Sequence, residues 1–285
     1  MVRTRVELLL VALHLCACSP PDTRPPPPDS RPDGSPEIPV TLFVVLGDSI
    51  SAAYTTPKEQ AYSTLLLKND DALYPELAGK DLTSRFPGIE VINLALAGIT
   101  TEQVVDQAKQ IPANPSGRTL VLLSAGLNEF RYNPEAFFSE ALAVKGAQNV
   151  TAVVKRVVDI FRDRQRFPYE VTIGLFGLWD TTDGKGTVPK NALFEGWFCS
   201  QFMERPCTGN WSAFNRVLAD FSASEGIELF DFYRPYLGHG YTHEDVTSPH
   251  YHPQDPTLWF LYDCTHANQR GNHEMRRLIW SQLRY

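Results

Sequence analysis

Val40-Thr41-Leu42-Phe43-Val44-Val45-Leu46-Gly47-Asp48-Ser49 decides the fold. The run from Val40 to Leu46 is apolar except for Thr41 and does not alternate, as a strand covered on both faces requires. It stops at a glycine, and a serine hydroxyl follows two residues on. In an open parallel sheet, ligands bind beyond the carboxyl ends of the strands. Ser49 therefore stands where chemistry is expected.

Further apolar runs follow at Ile89–Leu96, Thr119–Ser124, Glu170–Phe176 and Ile227–Phe230. Between them the spacing turns helical. Val150, Val153, Val154, Val157, Val158 and Phe161 form one stripe, with Lys155, Arg156 and Arg162 off it. A second pattern starts near Thr101 and carries Val104, Val105 and Ala108; a third, at the end, carries Met275, Leu278, Ile279 and Leu283. Strands alternating with helices predict an α/β fold with a parallel five-stranded sheet. Leu178 to Asn210 and Phe232 to Tyr262 break the rhythm with aromatics, Gly, Pro and His, and irregular stretches of that length are usually functional loops. There is no internal repeat, and one domain is expected from residue 40 to 285.

The loops after the first three strands carry Ser49, Gly98 and Asn128, and Asp263-Cys264-Thr265-His266 stands near the C-terminus. Parallel strands would open all three loops on one edge. Serine is a weak nucleophile until a base takes its proton. His266 is the candidate base, and Asp263 would fix its tautomer and stabilise the imidazolium. Attack on an ester carbonyl creates an oxyanion that needs preorganised donors. The Ser49 N–H at the start of a helix, the Gly98 N–H and the Asn128 side-chain amide are the candidates.

At these residues the sequence resembles the SGNH (GDSL-type) hydrolase superfamily: Gly47-Asp48-Ser49-Ile50, then Gly98, then Gly126-Leu127-Asn128, then Asp263-x-x-His266. The resemblance spans residues 40–285. It implies a three-layer α/β/α, flavodoxin-like fold and cofactor-free, metal-free esterase, lipase or acyltransferase chemistry, with a small-molecule or glycan acyl ester as substrate. It also implies the catalytic and oxyanion roles just given. Glu129 stands where many members carry Asp, a position expected to be structural. An acyltransferase acting on envelope sugars and a catalytically silent glycan-binding protein are the alternatives.

Each residue also has a plainer reading. Ser49 could cap a helix, Gly98 could end a strand, Asn128 could support a turn, and Asp263 and His266 could be a surface pair opening the last helix. Their order at successive strand ends favours the catalytic reading. His239, His243, His250 and His252 cluster in the second irregular stretch, but no Cys or carboxylate pattern completes a metal site. Asp180 and Asp183 could touch substrate, though a turn before Gly184 explains them. Trp179, Trp197, Trp211 and Trp259 could line an acyl pocket or stack on sugars, or form small cores. The Gly-x-Ser-x-Gly elbow, the Walker loop and the Gly-x-Gly-x-x-Gly fingerprint are all absent.

The N-terminus reads as an export signal: Arg3 and Arg5, then Leu8 to Leu13, too short to span a bilayer. Leu15-Cys16-Ala17-Cys18 resembles the lipobox of bacterial lipoprotein signals, which implies lipidation of Cys18 and anchoring in the cell-envelope membrane. Release as a soluble secreted or periplasmic protein is the alternative. Residues 19–39 are proline-rich and expected to form an extended spacer. The net charge of −7 and the lack of a Lys/Arg stripe argue against nucleic-acid binding. In an exported protein Cys199 and Cys207 are expected to pair. Cys264 is then expected to be a buried thiol, with a bridge to either neighbour as the alternative.

Overall fold

Val40–Leu46 (β1), Glu90–Asn93 (β2), Arg118–Leu123 (β3), Val171–Phe176 (β4) and Glu228–Phe230 (β5) form one sheet in the computed structural model. The order is β2-β1-β3-β4-β5 and every neighbouring pair is parallel. The structure describes residues 38–132, 134–187 and 210–283. The expectations for Cys18, the proline-rich stretch to residue 37, Trp197 and the Cys199–Cys207 pair lie outside those residues.

The strands fall where the apolar runs predict, within one residue except at β2. That edge strand ends at Asn93, although Leu94 N–H and Leu96 N–H still donate to the carbonyls of Val45 and Gly47. β1 and β3 are buried throughout apart from Thr41. Leu46 is level with Leu123, and Val45 with Asn93, so the loops after β1, β2 and β3 leave the same edge.

From β1 the chain steps one way to β2 and thereafter the other way. Right-handed crossovers then place Tyr62–Leu67 on one face, and Thr101–Gln110, Glu140–Phe161 and Asn210–Glu225 on the other. The contacts agree: those three helices pack side by side, while Gln269–Gln282 packs against Tyr62–Leu67. This is the three-layer α/β/α arrangement, and 2-1-3-4-5 is the flavodoxin-like strand order. The long helix starts at Glu140, ahead of its valine stripe, because its first turns bury only Ala143 and Ala147. The helix Asn210–Glu225 goes beyond the expected elements, burying Trp211, Phe214 and Leu218.

The second irregular stretch is held to the loop after β4 by the Asp183 carboxylate, by Tyr241 N–H donating to Thr181 O and by the Lys185–Asp245 ion pair. Asp183 Oδ1 accepts from the N–H groups of Gly238 and Gly240 at 2.8 and 2.7 Å. Its Oδ2 accepts from the N–H and Oγ1 of Thr242, both at 2.9 Å. Asp180 accepts from Thr182 N, Thr182 Oγ1 and Gly184 N. The Asp180 side chain therefore builds the turn before Gly184, whereas the Asp183 carboxylate, against the turn reading, ties that turn to residues 238–242.

Candidate active site

The serine turn is built by packing against β3. Gly47 has φ +123°, and a Cβ there would lie 2.4 Å from Ser124 Oγ and 2.5 Å from the Ser124 carbonyl oxygen. Only glycine fits. Ser124 Oγ donates to Asp48 Oδ1 and accepts from the N–H groups of Asp48 and Ser51. From the other side Gln107 accepts from Gly47 N and donates to the carbonyls of Gly47 and Leu94. Burial raises the Asp48 carboxyl above its ordinary pKa, against the lowering effect of the Ser124 hydroxyl and Ile50 N–H. Asp48 is thus a structural carboxylate.

Ser49 does not open a helix. Residues 49–55 form successive turns, closed by Ala52 N–H to Asp48 O, Ala53 N–H to Ile50 O and Tyr54 N–H to Ser49 O. The chain must turn back quickly to bring Tyr54 beside His266, and Ala53 and Thr55 take left-handed φ values of +48° and +67° to do so. The helix-dipole contribution expected at Ser49 is therefore absent.

Asp263 and His266 sit in a tight loop closed by the Phe260–Ala267 bridge, and the last helix begins only at Gln269, capped by Asn268. Asp263 Oδ2 lies 2.5 Å from His266 Nδ1, and Oδ1 accepts from the N–H groups of Thr265 and His266. Burial by itself would raise the Asp263 pKa; the hydrogen bonds and charge of His266 and the Thr265 N–H bring it below the ordinary value. An ionised carboxylate only accepts, so Nδ1 carries a proton, and in the neutral imidazole the lone pair then falls on Nε2. Nε2 is buried and has no hydrogen-bond partner among the described residues.

Three outside groups brace this loop: Tyr241 Oη accepts from Cys264 N at 2.8 Å, Trp179 Nε1 donates to Thr265 O at 2.9 Å, and Thr181 Oγ1 donates to Cys264 O at 3.4 Å. Cys264 is buried, with φ +58°, and is disulfide-bonded, which corrects the expected free thiol. The other four cysteines lie outside the described residues.

Ser49 (6% exposed) and His266 (7%) line one small cleft with Ile50, Tyr54, Trp179 and Met275. Ser49 Oγ and His266 Nε2 are not hydrogen-bonded, as is common before substrate draws such a pair together. Asn128, buried at 3%, donates from its side-chain amide to Ile99 O at 2.8 Å. Gly98 has φ +83°, and a Cβ there would meet nothing within 4 Å, so its backbone conformation rather than crowding calls for glycine. Gly98 and Asn128 do not line the cleft itself, but Ile50 and Leu127, the neighbours of Ser49 and Asn128, share the wall of one pocket. Glu129 Oε1 accepts from Thr101 N at 2.6 Å, a structural role.

The histidine cluster is bound up elsewhere. Ring nitrogens of His239, His243 and His252 bond the carbonyls of Thr257, Gly240 and Leu237, and His239 stacks on Trp259 at 3.5 Å. Among the described residues no three His, Cys, Asp or Glu side chains gather as metal ligands. Trp211 and Trp259 are core residues, while Trp179 reaches the cleft.

Ser124, Gln107, Tyr241 and Tyr54 were not apparent as site residues from sequence. Ser124 and Gln107 did leave signals. One is a hydroxyl at the end of an apolar run; the other is an amide three residues after Val104, on a buried helix face.

The family model for GDSL-like Lipase/Acylhydrolase matches residues 45–272. Among solved structures, an extracellular lipase from Streptomyces rimosus is 16% identical with a TM-score of 0.53, over 86% of this chain and 100% of that one. A lipolytic protein of the G-D-S-L family from Veillonella parvula is 12% identical with a TM-score of 0.50, over 85% and 97%. The acetyl xylan esterase AlAXEase is 14% identical with a TM-score of 0.51, over 85% and 100%. No curated protein matches the chain by sequence.

Proposed function

Because the chain belongs to the GDSL-like lipase/acylhydrolase family, an ester-hydrolysing family, we propose that it is a serine esterase working through an acyl-enzyme on Ser49. Ser49 Oγ attacks the ester carbonyl carbon while its proton passes to His266 Nε2. The tetrahedral adduct collapses, its bond to the alcohol oxygen breaks, and that oxygen takes the proton from Nε2. Water then repeats the sequence on the acyl-enzyme, releasing the carboxylic acid and restoring Ser49. The Ser49 and Gly98 N–H groups and the Asn128 side-chain amide receive the oxyanion.

One observation carries this reading. The 2.5 Å Asp263–His266 contact holds a proton on Nδ1, and Nε2, without a partner among the described residues, is the acceptor of the neutral ring at the cleft that Ser49 lines. Ser49→Ala should abolish hydrolysis of a short-chain aryl ester while circular dichroism stays unchanged; retained hydrolysis would sink the proposal.

The leader supports export, with Cys18 lipidated and residues 19–39 as a spacer from the membrane. No described helix is long and apolar enough to cross a bilayer. Cys18→Ser should move the protein from the membrane fraction to the soluble one, without loss of esterase activity.

A further inference from the structure

Beside the catalytic cleft lies a second, small apolar hollow, walled by Ile50, Leu127, Phe176, Leu178 and Trp179. Ile50 and Trp179 also line the cleft of Ser49 and His266. These two side chains are therefore the partition between the reacting atoms and that apolar hollow. Of the two, Trp179 is the larger and the more firmly held. Its indole N–H donates to Thr265 O, one residue from His266. Its ring stacks on Tyr236 at 5.1 Å and 19°, and meets Phe260 edge-on at 5.7 Å. With its one polar atom bonded and Tyr236, Phe260 and Phe232 packed around its ring, the indole is held in place.

The other space near the site is an open groove of mixed lining, formed by Thr55, Thr56, Asn268, Gln269 and Arg270 together with Pro57 and Leu261. A polar alcohol fits it; a long acyl chain would leave its apolar surface in water there.

We propose that Trp179 is the residue that sets acyl length, standing as a fixed wall that restricts the group carried on Ser49 to a short acyl such as acetyl. This rests on the serine-esterase reading and names the substrate class within it. Removing the indole joins the two spaces and admits a longer chain.

The test is a series of p-nitrophenyl esters from acetate to octanoate, with active sites counted by fluorophosphonate titration of Ser49. In the wild type, kcat/KM should fall at least ~10-fold from acetate to hexanoate. In Trp179→Ala the hexanoate-to-acetate ratio should rise ~10- to 100-fold, the scale on which pocket size discriminates methylenes. Trp179→Phe keeps an aromatic ring in the stack and should shift the ratio in the same direction by less, which serves if the alanine variant does not fold. A wild-type profile that is flat or rises with length overturns the proposal, as does an unchanged ratio in a labelled variant. Failure of wild-type Ser49 to label would instead remove the serine-esterase reading, and this proposal with it.

Discussion

Ser124 Oγ donates to Asp48 Oδ1 at 2.7 Å across 76 residues of sequence, and the same oxygen accepts from the N–H groups of Asp48 and Ser51 at 3.1 and 3.2 Å. One hydroxyl at the end of β3 thus fixes the turn that presents Ser49. Ser124→Ala would strand two buried N–H groups and weaken the hold on a buried carboxylate, each unsatisfied group costing about 1–3 kcal/mol. The melting temperature should fall, and displacement of Ser49 should lower kcat/KM by up to ~10²-fold. A variant as stable and active as wild type would show that the serine turn does not depend on this hydroxyl.

Asn128→Ala should reduce kcat on the order of 10²–10³-fold, the scale for one oxyanion donor. KM should change much less, because the amide acts on charge that develops in the transition state. Steady-state kinetics on an aryl acetate decide this. A pure KM effect would place Asn128 in ground-state binding instead.

Asp263→Asn should cost up to about 10⁴-fold in kcat, because an amide no longer specifies the proton on His266 Nδ1. A stability effect accompanies the catalytic one. The folded Asp263 pKa lies below its ordinary value, because the His266 contacts outweigh the opposing effect of burial. The stabilisation is present above the unfolded carboxylate pKa and is lost as pH falls through the folded value. Wild type and Asp263→Asn should therefore converge in melting temperature in strong acid, and a constant gap across pH would contradict the assignment.

Asp180 predicts the opposite pH dependence. Burial raises its pKa from 3.8 to about 6, against the hydrogen bonds of Thr182 and Gly184. The folded state then holds more protons than the unfolded one between those values, so stability falls as pH rises through that window. The shift from 3.8 to about 6 corresponds to about 3 kcal/mol. Relative to wild type, Asp180→Asn should gain by that order between pH 4 and 7, measured by urea denaturation. A difference independent of pH would show that Asp180 is not a raised, buried carboxyl.

β1, β3 and β4 were legible because buried parallel strands read as unbroken apolar runs. Ser49, Gly98 and Asn128 follow β1, β2 and β3, but of these only Ser49 lines the cleft with His266. Three features were hidden for physical reasons. The start of the helix at Glu140 was masked because Ala143 and Ala147 bury little apolar surface and leave a weak periodic signal. The turn at Ser49 imitates a helix start locally, and only the position of Tyr54 beside His266, with ring centroids 5.1 Å apart, shows why the chain turns back. The role of Phe232 to Tyr262 depends on bonds that cross the sequence. Asp183 reaches residues 238–242, and Tyr241 reaches Cys264. No local pattern encodes such bonds. The Cys264 bridge was missed for the same reason, since spacing does not determine which cysteines pair.

The most direct test of the central claim is covalent labelling with a fluorophosphonate, read by peptide mass spectrometry. The wild type should take up one phosphonyl group on Ser49, Ser49→Ala should take up none, and His266→Ala should label far more slowly. An unlabelled wild type, or a label on another residue with ester hydrolysis intact in Ser49→Ala, would contradict the account.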